Sequence, residues 1–198
     1  MPGPALIIFI KNPVPGKCKT RLAKTIGDEA AATVYRKLLA YTRMICLKFE
    51  GDKYLYYDGF INENDDWHPD TFTKRIQLQA NLGLRMEHAL SEVLMNHDSA
   101  VIIGSDCPEL KIRHIQSAFE ALNDEDVVIG PSFDGGYYLI GMKRVHKILF
   151  NDIVWSSSAV FDVSQERLNE NKISLSILEK LHDLDNADDL ALFPECHP

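Results

Sequence analysis

Apolar runs that alternate with helical periods constrain this chain more than any other feature of it. The first, Ala5-Leu-Ile-Ile-Phe-Ile10, is continuously apolar and rich in β-branched residues, the pattern of a strand covered on both faces. Tyr54-Leu-Tyr-Tyr57, Ala100-Val-Ile-Ile103 and Val127-Val-Ile129 repeat the signal, and Tyr137 to Ile140 and Ile173 to Ile177 read as further strands. Between them, apolar residues recur at three- and four-residue spacing from Glu29 to Lys48, with Asp28 as N-cap, from Leu82 to Asn96, and from Ile112 to Leu122. Strand, helix, strand in alternation predicts an α/β protein, a three-layer α/β/α sandwich around a mainly parallel, Rossmann-like sheet. A length of 198 residues suits one domain covering 1–198, and neither a repeat nor a Pro/Gly/Ser linker divides the sequence.

Composition narrows the partners. With 45% hydrophobic and 25% charged residues, disordered, collagen-like and disulfide-scaffold classes are excluded. The 21 Lys and Arg against 29 Asp and Glu leave a net charge of -8, a field that repels nucleic acid. Cys18, Cys46, Cys107 and Cys196 form no C-x-x-C pair, so free thiols in a reducing cytosol are expected rather than zinc or redox work. No apolar run approaches the roughly 20 residues of a membrane span. The stretch from Ala5 to Ile10 is too short for a signal peptide and lacks a cleavage site. The chain therefore reads as cytoplasmic, with no membrane partner.

Ligands of open α/β sheets collect beyond the carboxyl ends of the strands, so the residues that follow each buried run are where chemistry is sought. After the first run comes Lys11-Asn-Pro-Val-Pro-Gly-Lys-Cys-Lys-Thr-Arg21, with Lys24 just beyond. A basic loop at a strand end is a phosphate cradle; elsewhere it would be a solvated turn. It is no Walker A loop, since Gly16-Lys17 is followed by Cys18, and it lacks the G-x-G-x-x-G of dinucleotide binders.

The third run ends in Gly104-Ser-Asp-Cys-Pro108. Asp106 is placed there to hold Mg²⁺ or Mn²⁺ through oxygen, the alternative being an N-cap for the helix near Lys111. Cys107 has no adjacent base, which argues against a nucleophile. In Gly130-Pro-Ser-Phe-Asp-Gly-Gly-Tyr-Tyr138, Gly135 and Gly136 allow close backbone approach, and Asp134 can accept hydrogen bonds from hydroxyls or position a metal-bound group. Alone, such a D-G-G would mark a hairpin turn.

Near the C-terminus, Asp185 is either a second metal ligand or, with Asn186, a cap for a final short helix. Trp155, followed by Ser156, offers a face on which a sugar ring can stack, or else belongs to the core. The acidic stretch Asn62 to Asp70 reads as a solvated surface loop.

Taken in order, these blocks resemble the GT-A superfamily of nucleotide-diphospho-sugar transferases. Within it they are similar to a bacterial glycosyltransferase-like family that includes arsenosugar-biosynthesis-type transferases. The resemblance runs from about residue 5 to 190 through Lys11-x-Pro13-x-Pro15-Gly16-x-x-Lys19-Thr20-Arg21-Leu22, Gln79-x-x-Leu82-Gly83-x-Arg85-Met86, Gly104-Ser-Asp-Cys-Pro108, Gly130-Pro-x-x-Asp-Gly-Gly-Tyr-Tyr138, Phe150-x-x-Ile153-x-Trp155-Ser156 and Asp183-x-Asp185. More distantly the chain is similar to 2-phospholactate and molybdenum-cofactor guanylyltransferases.

The resemblance implies that Gly16, Lys19 and Arg21 hold phosphates beside Lys11 and Thr20, that Gln79 and Gly83 contact base or ribose, and that Arg85 is a further phosphate or acceptor contact. Asp106 would hold the metal, and Asp134, Gly135, Gly136, Trp155 and Ser156 would face the transferred sugar or the acceptor. Two departures stand out: Gly104-Ser-Asp106 lacks one carboxylate of the glycosyltransferase D-x-D, and the first loop has fewer glycines than a nucleotidyltransferase loop.

Three functions follow. A metal-dependent glycosyltransferase would use Mg²⁺ or Mn²⁺ at Asp106 to neutralise the leaving nucleoside diphosphate, while Asp134 orients the sugar or a small-molecule acceptor hydroxyl. A nucleotidyltransferase would let an acceptor phosphate or carboxylate attack the α-phosphorus of a nucleoside triphosphate, Lys19 and Arg21 neutralising pyrophosphate. The missing second carboxylate motivates a third, a non-catalytic nucleotide-binding protein. Sugar, base, acceptor and oligomeric state stay open.

Overall fold

The apolar runs form the middle of one sheet, as their coverage on both faces requires. The computed structural model describes residues 3–198. Seven strands are present: β1 (Pro4–Ile10), β2 (Asp52–Tyr57), β3 (Thr73–Ile76), β4 (Ser99–Ile103), β5 (Val127–Pro131), β6 (Tyr137–Met142) and β7 (Leu175–Ile177). They lie in the order β3-β2-β1-β4-β6-β5-β7. All neighbours are parallel except those of β6, which runs antiparallel to both β4 and β5. Six helices connect them: α1 (Thr20–Ile26), α2 (Asp28–Cys46), α3 (Leu82–Val93), α4 (Ile112–Asp124), α5 (Val160–Glu170) and α6 (Ala187–Leu192). The result is the mostly parallel α/β sandwich that the alternation predicts.

Alternate residues of each central strand feed two cores. Leu6, Ile8 and Ile10 face α1, α2 and α4 through Leu22, Leu38 and Ile115, whereas Ala5 and Ile7 face α3 and α5 through Leu90 and Leu168. All of these but Ile10, Leu38 and Ala5 are Leu or Ile with no exposed surface, each contributing roughly 1.5–3 kcal/mol by burial.

Several local expectations shift. Helix α2 begins at Asp28 itself, with Gly27 at φ 86° as the preceding cap residue, so the carboxylate lies in the first turn rather than at the cap. Asn186 caps α6 by accepting from the amides of Asp188 and Asp189. The Asn62 to Asp70 stretch is largely exposed, as expected of a surface loop, but it is also pinned: Trp67 is buried against Phe72, and Asp65 accepts from Tyr57 and Lys74. All four cysteines are free and buried. Among the described residues no helix is long and apolar enough to cross a membrane.

The strand order positions the site. From β1 the chain proceeds to β2 and β3 on one side and then returns to β4 on the other, so the loops after β1 and β4 diverge and open a crevice between them.

Candidate active site

A cavity of about 560 Å³ fills that crevice. Its lining includes the cations Lys11, Lys19, Arg21 and Arg85, with Thr20, and the aspartates Asp58, Asp106, Asp134, Asp183 and Asp185. Gly136, Trp155 and Ser156 line it as well, whereas Gly16, Gln79, Gly83 and Gly135 lie outside it.

At the meeting of these charges is Lys19. Its backbone adopts φ 46° at the entry to α1, and its buried ammonium donates to Asp185 Oδ1 at 2.8 Å and to Asp106 Oδ2 at 3.2 Å. Burial alone would lower the lysine pKa, but the two carboxylates outweigh it and hold the ammonium charged. Burial likewise works to raise the Asp185 carboxyl, and Lys19 reverses the effect, leaving it below the ordinary range. Arg21, largely exposed, approaches Asp185 at 3.6 Å. Beneath Lys19, the Tyr35 hydroxyl accepts from the Lys11 amide at 2.8 Å and meets Ser105 Oγ at 2.7 Å, tying the loop after β1 to the loop after β4.

Asp183 is the residue that the reading of the sequence left without a role. Its carboxyl is pushed well up, first by burial and then by Asp106 and Asp134, and its Oδ1 is buried without a hydrogen-bond partner. A buried, unpartnered oxygen beside further aspartates is a donor set that suits Mg²⁺ or Mn²⁺. In the present arrangement no three His, Cys, Asp or Glu side chains converge among the described residues. The protein would therefore supply two carboxylates, Asp106 with Asp183 or Asp185, and leave the other positions to substrate and water, as Mg²⁺ commonly requires.

At the other end, the floor is Gln77. It is buried, its Nε2 donates to the Ile10 and Tyr56 carbonyls, and its Oε1 faces Arg85 Nη1 at 3.4 Å. Gln79, two residues on, is exposed. Only the edge strand β3 distinguishes the two, and the polar Thr-Lys-Arg-Ile of that strand gave no signal. Gly83 lies beneath the wall: a Cβ there would sit 2.4 Å from the Trp155 indole nitrogen. Trp155 itself packs edge-on against Tyr137, so the residue serves core and cavity together.

The D-G-G is a hairpin turn between β5 and β6, and also a wall. Asp134 Oδ1 accepts from Ser132 Oγ at 2.5 Å and from the Gly136 amide at 2.9 Å, which fixes its carboxylate at the cavity edge. Gly135, at φ 90°, leaves no room for a side chain, since a Cβ would lie 2.0 Å from the Ser158 carbonyl oxygen. Cys107 is buried with its thiol pushed up by desolvation, the opposite of an activated nucleophile.

Solved structures share this frame. The chain is 29% identical to a protein of Desulfovibrio desulfuricans G20 described as a "putative nucleotide-diphospho-sugar transferase", with a TM-score of 0.88 over 97% of this chain and 86% of that one. A CMP:2-keto-3-deoxy-manno-octonic acid synthetase complexed with CTP matches at 12% identity and a TM-score of 0.57, over 98% and 99%. A Mycobacterium tuberculosis H37Rv protein in complex with manganese matches at 13% and 0.52, over 98% of each chain. The last two likenesses concern the fold alone. No curated protein matches the chain. Its residues 42–157, from the last turns of α2 to Ser157, match the model of the family described as "uncharacterized protein conserved in bacteria (DUF2064)", and the chain belongs to that family.

Proposed function

We propose that this protein is a metal-dependent transferase that binds a nucleotide sugar in the β1/β4 crevice and passes the sugar to a small hydroxylated acceptor. The observation that carries the reading is one cavity lined both by the cations Lys11, Lys19, Arg21 and Arg85 and by a group of aspartates that includes Asp106, Asp134, Asp183 and Asp185, Asp183 having a buried unpartnered oxygen. The cations suit a diphosphate, and Gln77 with Arg85 offers the other end of the crevice an acceptor beside donors, the pairing a nucleobase edge needs. Asp106, with Asp183 or Asp185, would hold Mg²⁺ or Mn²⁺, which when bound neutralises charge on the leaving diphosphate. Arg21 adds a second positive charge from the exposed side. Asp134, pinned by Ser132 and Gly136, accepts a hydrogen bond from an acceptor or sugar hydroxyl, and Trp155 gives a ring face to pack against. The manganese complex and the nucleotide-diphospho-sugar transferase description among proteins of like fold support this assignment.

In the loop after β1 the amides at Lys11, Asn12, Val14 and Lys17 are already bonded within the protein, and Pro13 and Pro15 have none. A donor's phosphates would therefore meet the later part of the loop, where it enters the first turn of α1 beside Arg21.

Incubation of the purified protein with nucleotide sugars and with nucleoside triphosphates, each with Mn²⁺ and candidate acceptors, tests the proposal. Release of nucleoside diphosphate from a nucleotide sugar is the expected result. Release of pyrophosphate from a triphosphate would put nucleotidyl transfer in its place, and binding without turnover would make the protein a non-catalytic nucleotide binder.

A further inference from the structure

We propose that Lys19 is a resident counter-cation, holding Asp106 and Asp185 in register until a divalent cation arrives together with the donor diphosphate. The inference rests on the reading of the crevice as a metal and diphosphate site, but its grounds are local. An ammonium meant only for phosphate would stand in the solvent of the cavity. The Lys19 side chain is instead 5% exposed and spends both of its hydrogen bonds on carboxylates from loops far apart in sequence. The backbone turns into the left-handed region to direct it there, a conformation that side-chain-bearing residues avoid. Tyr35 lies under it, with the ammonium 5.9 Å from the ring centre.

The surrounding charges explain why a cation is needed there. Asp106, Asp134, Asp183 and Asp185 all line the same cavity, and beyond Lys19 the nearest compensation for Asp185 is Arg21, 62% exposed and 3.6 Å away. Without Lys19, the Asp106 and Asp185 carboxylates, 40% and 36% exposed, would stand beside Asp183 with little to balance them, and like charges gathered at one site repel. While Lys19 is in place, Asp106 and Asp185 are engaged, and among the described residues no three carboxylates converge on a point. A free divalent cation therefore meets a site already neutralised by an internal one. A cation carried in by a diphosphate brings oxygens that complete its own coordination and also accept from Lys19, so the ammonium can turn from carboxylate to phosphate as the cation takes its place. Metal and donor then bind as a pair.

Thermal unfolding in EDTA and in Mn²⁺, with Mn²⁺ binding measured by electron paramagnetic resonance without any nucleotide, decides the matter. Wild-type protein should melt at the same temperature in both and bind Mn²⁺ weakly. Lys19→Met, similar in shape and uncharged, should melt roughly 3 °C or more below wild type in EDTA, recover most of that in Mn²⁺, and bind Mn²⁺ on the order of tenfold more tightly. The double variant Lys19→Met/Asp185→Asn, which removes one charge of each sign, should melt near wild type in EDTA and lose the Mn²⁺ response. A Lys19→Met variant with wild-type melting and no greater Mn²⁺ affinity would overturn the proposal. Should the single variant not fold, the double variant decides: a folded one supports charge compensation, and an unfolded one shows that Lys19 is needed for packing and overturns it. None of these readouts involves turnover, so a failed transfer assay and a failed counter-cation are told apart.

Discussion

A single methyl group at position 83 tests how the crevice wall is built. Gly83 is the second residue of α3 and lies beneath Trp155. In Gly83→Ala the new Cβ would stand 2.4 and 2.5 Å from two indole atoms and 2.6 Å from the Phe150 carbonyl oxygen, far inside van der Waals contact. The indole can swing away, but the carbonyl belongs to backbone that closes the Lys147–Leu149 turn, where Phe150 is buried. Overpacking of this kind costs about 1–3 kcal/mol, with the backbone contact favouring the upper half. Replacing a helical glycine returns about 0.5–1 kcal/mol, leaving a net loss of about 1–2.5 kcal/mol. For a chain of this length that is a fall in melting temperature of roughly 2–10 °C. Trp155 should also leave its edge contact with Tyr137, and its emission should move to the red while Trp67, buried against Phe72, keeps its own. Differential scanning calorimetry and intrinsic fluorescence read both effects. An unchanged melting temperature with unchanged emission refutes the packing role, and a loss of nucleotide affinity without either change would make Gly83 a direct ligand contact.

Gln77→Ala removes the amide that joins the ends of β1 and β2 beneath the cavity, and a loss of about 1–3 kcal/mol follows because the Ile10 and Tyr56 carbonyls each lose a donor; an unmoved urea midpoint would contradict it. The pH dependence of stability has a defined sign at His114, whose pKa is lowered, chiefly by burial. The unfolded chain then binds the proton more readily, so this residue's contribution is present above the unfolded value of about 6.5 and is lost as pH falls below it toward the lower folded pKa. Asp183, with its raised pKa, works in the opposite sense, so the measurement is the difference between wild type and His114→Gln in urea titrations from pH 7.5 to 5.5. Wild type should lose more stability on acidification than the variant does, and parallel curves would sink the assignment.

The strands at the centre of the sheet were legible because burial on both faces leaves no room for polar residues, which is why β1, β4 and β5 read as unbroken apolar runs. That same logic hides β3. As an edge strand it pairs only with β2, and of its four residues Thr73, Lys74, Arg75 and Ile76 none is fully buried, so no periodicity marks it. Helix α1 spans seven residues, too few to display a helical period, and it is held by packing of Leu22 against α2 and the sheet. The antiparallel β6 is foreshadowed by the D-G-G turn, yet a glycine pair alone does not say whether it turns the chain or receives a ligand. Here the turn is formed by Asp134 itself, which is why both readings attach to one residue.

Locating the crevice needed only the rule that ligands gather at carboxyl ends of strands. What fills it needed the third dimension. Lys19 lies 87 residues from Asp106 and 166 from Asp185, separations at which sequence carries no trace of contact. From the sequence these residues divide by charge into a phosphate-binding lysine and two metal-binding aspartates, each awaiting an external partner. Folding brings them within hydrogen-bond reach of one another, and a buried ammonium and two carboxylates cannot remain unpaired while a ligand is absent. They satisfy each other, and Asp183, pressed beside them with an unpartnered oxygen and a carboxyl that burial and the neighbouring aspartates push toward its neutral form, is left without a partner. On the proposed reading, Asp183 would offer a divalent cation its unpartnered oxygen, and Asp106 and Asp185 would become available to it only if Lys19 were given another anion to hold.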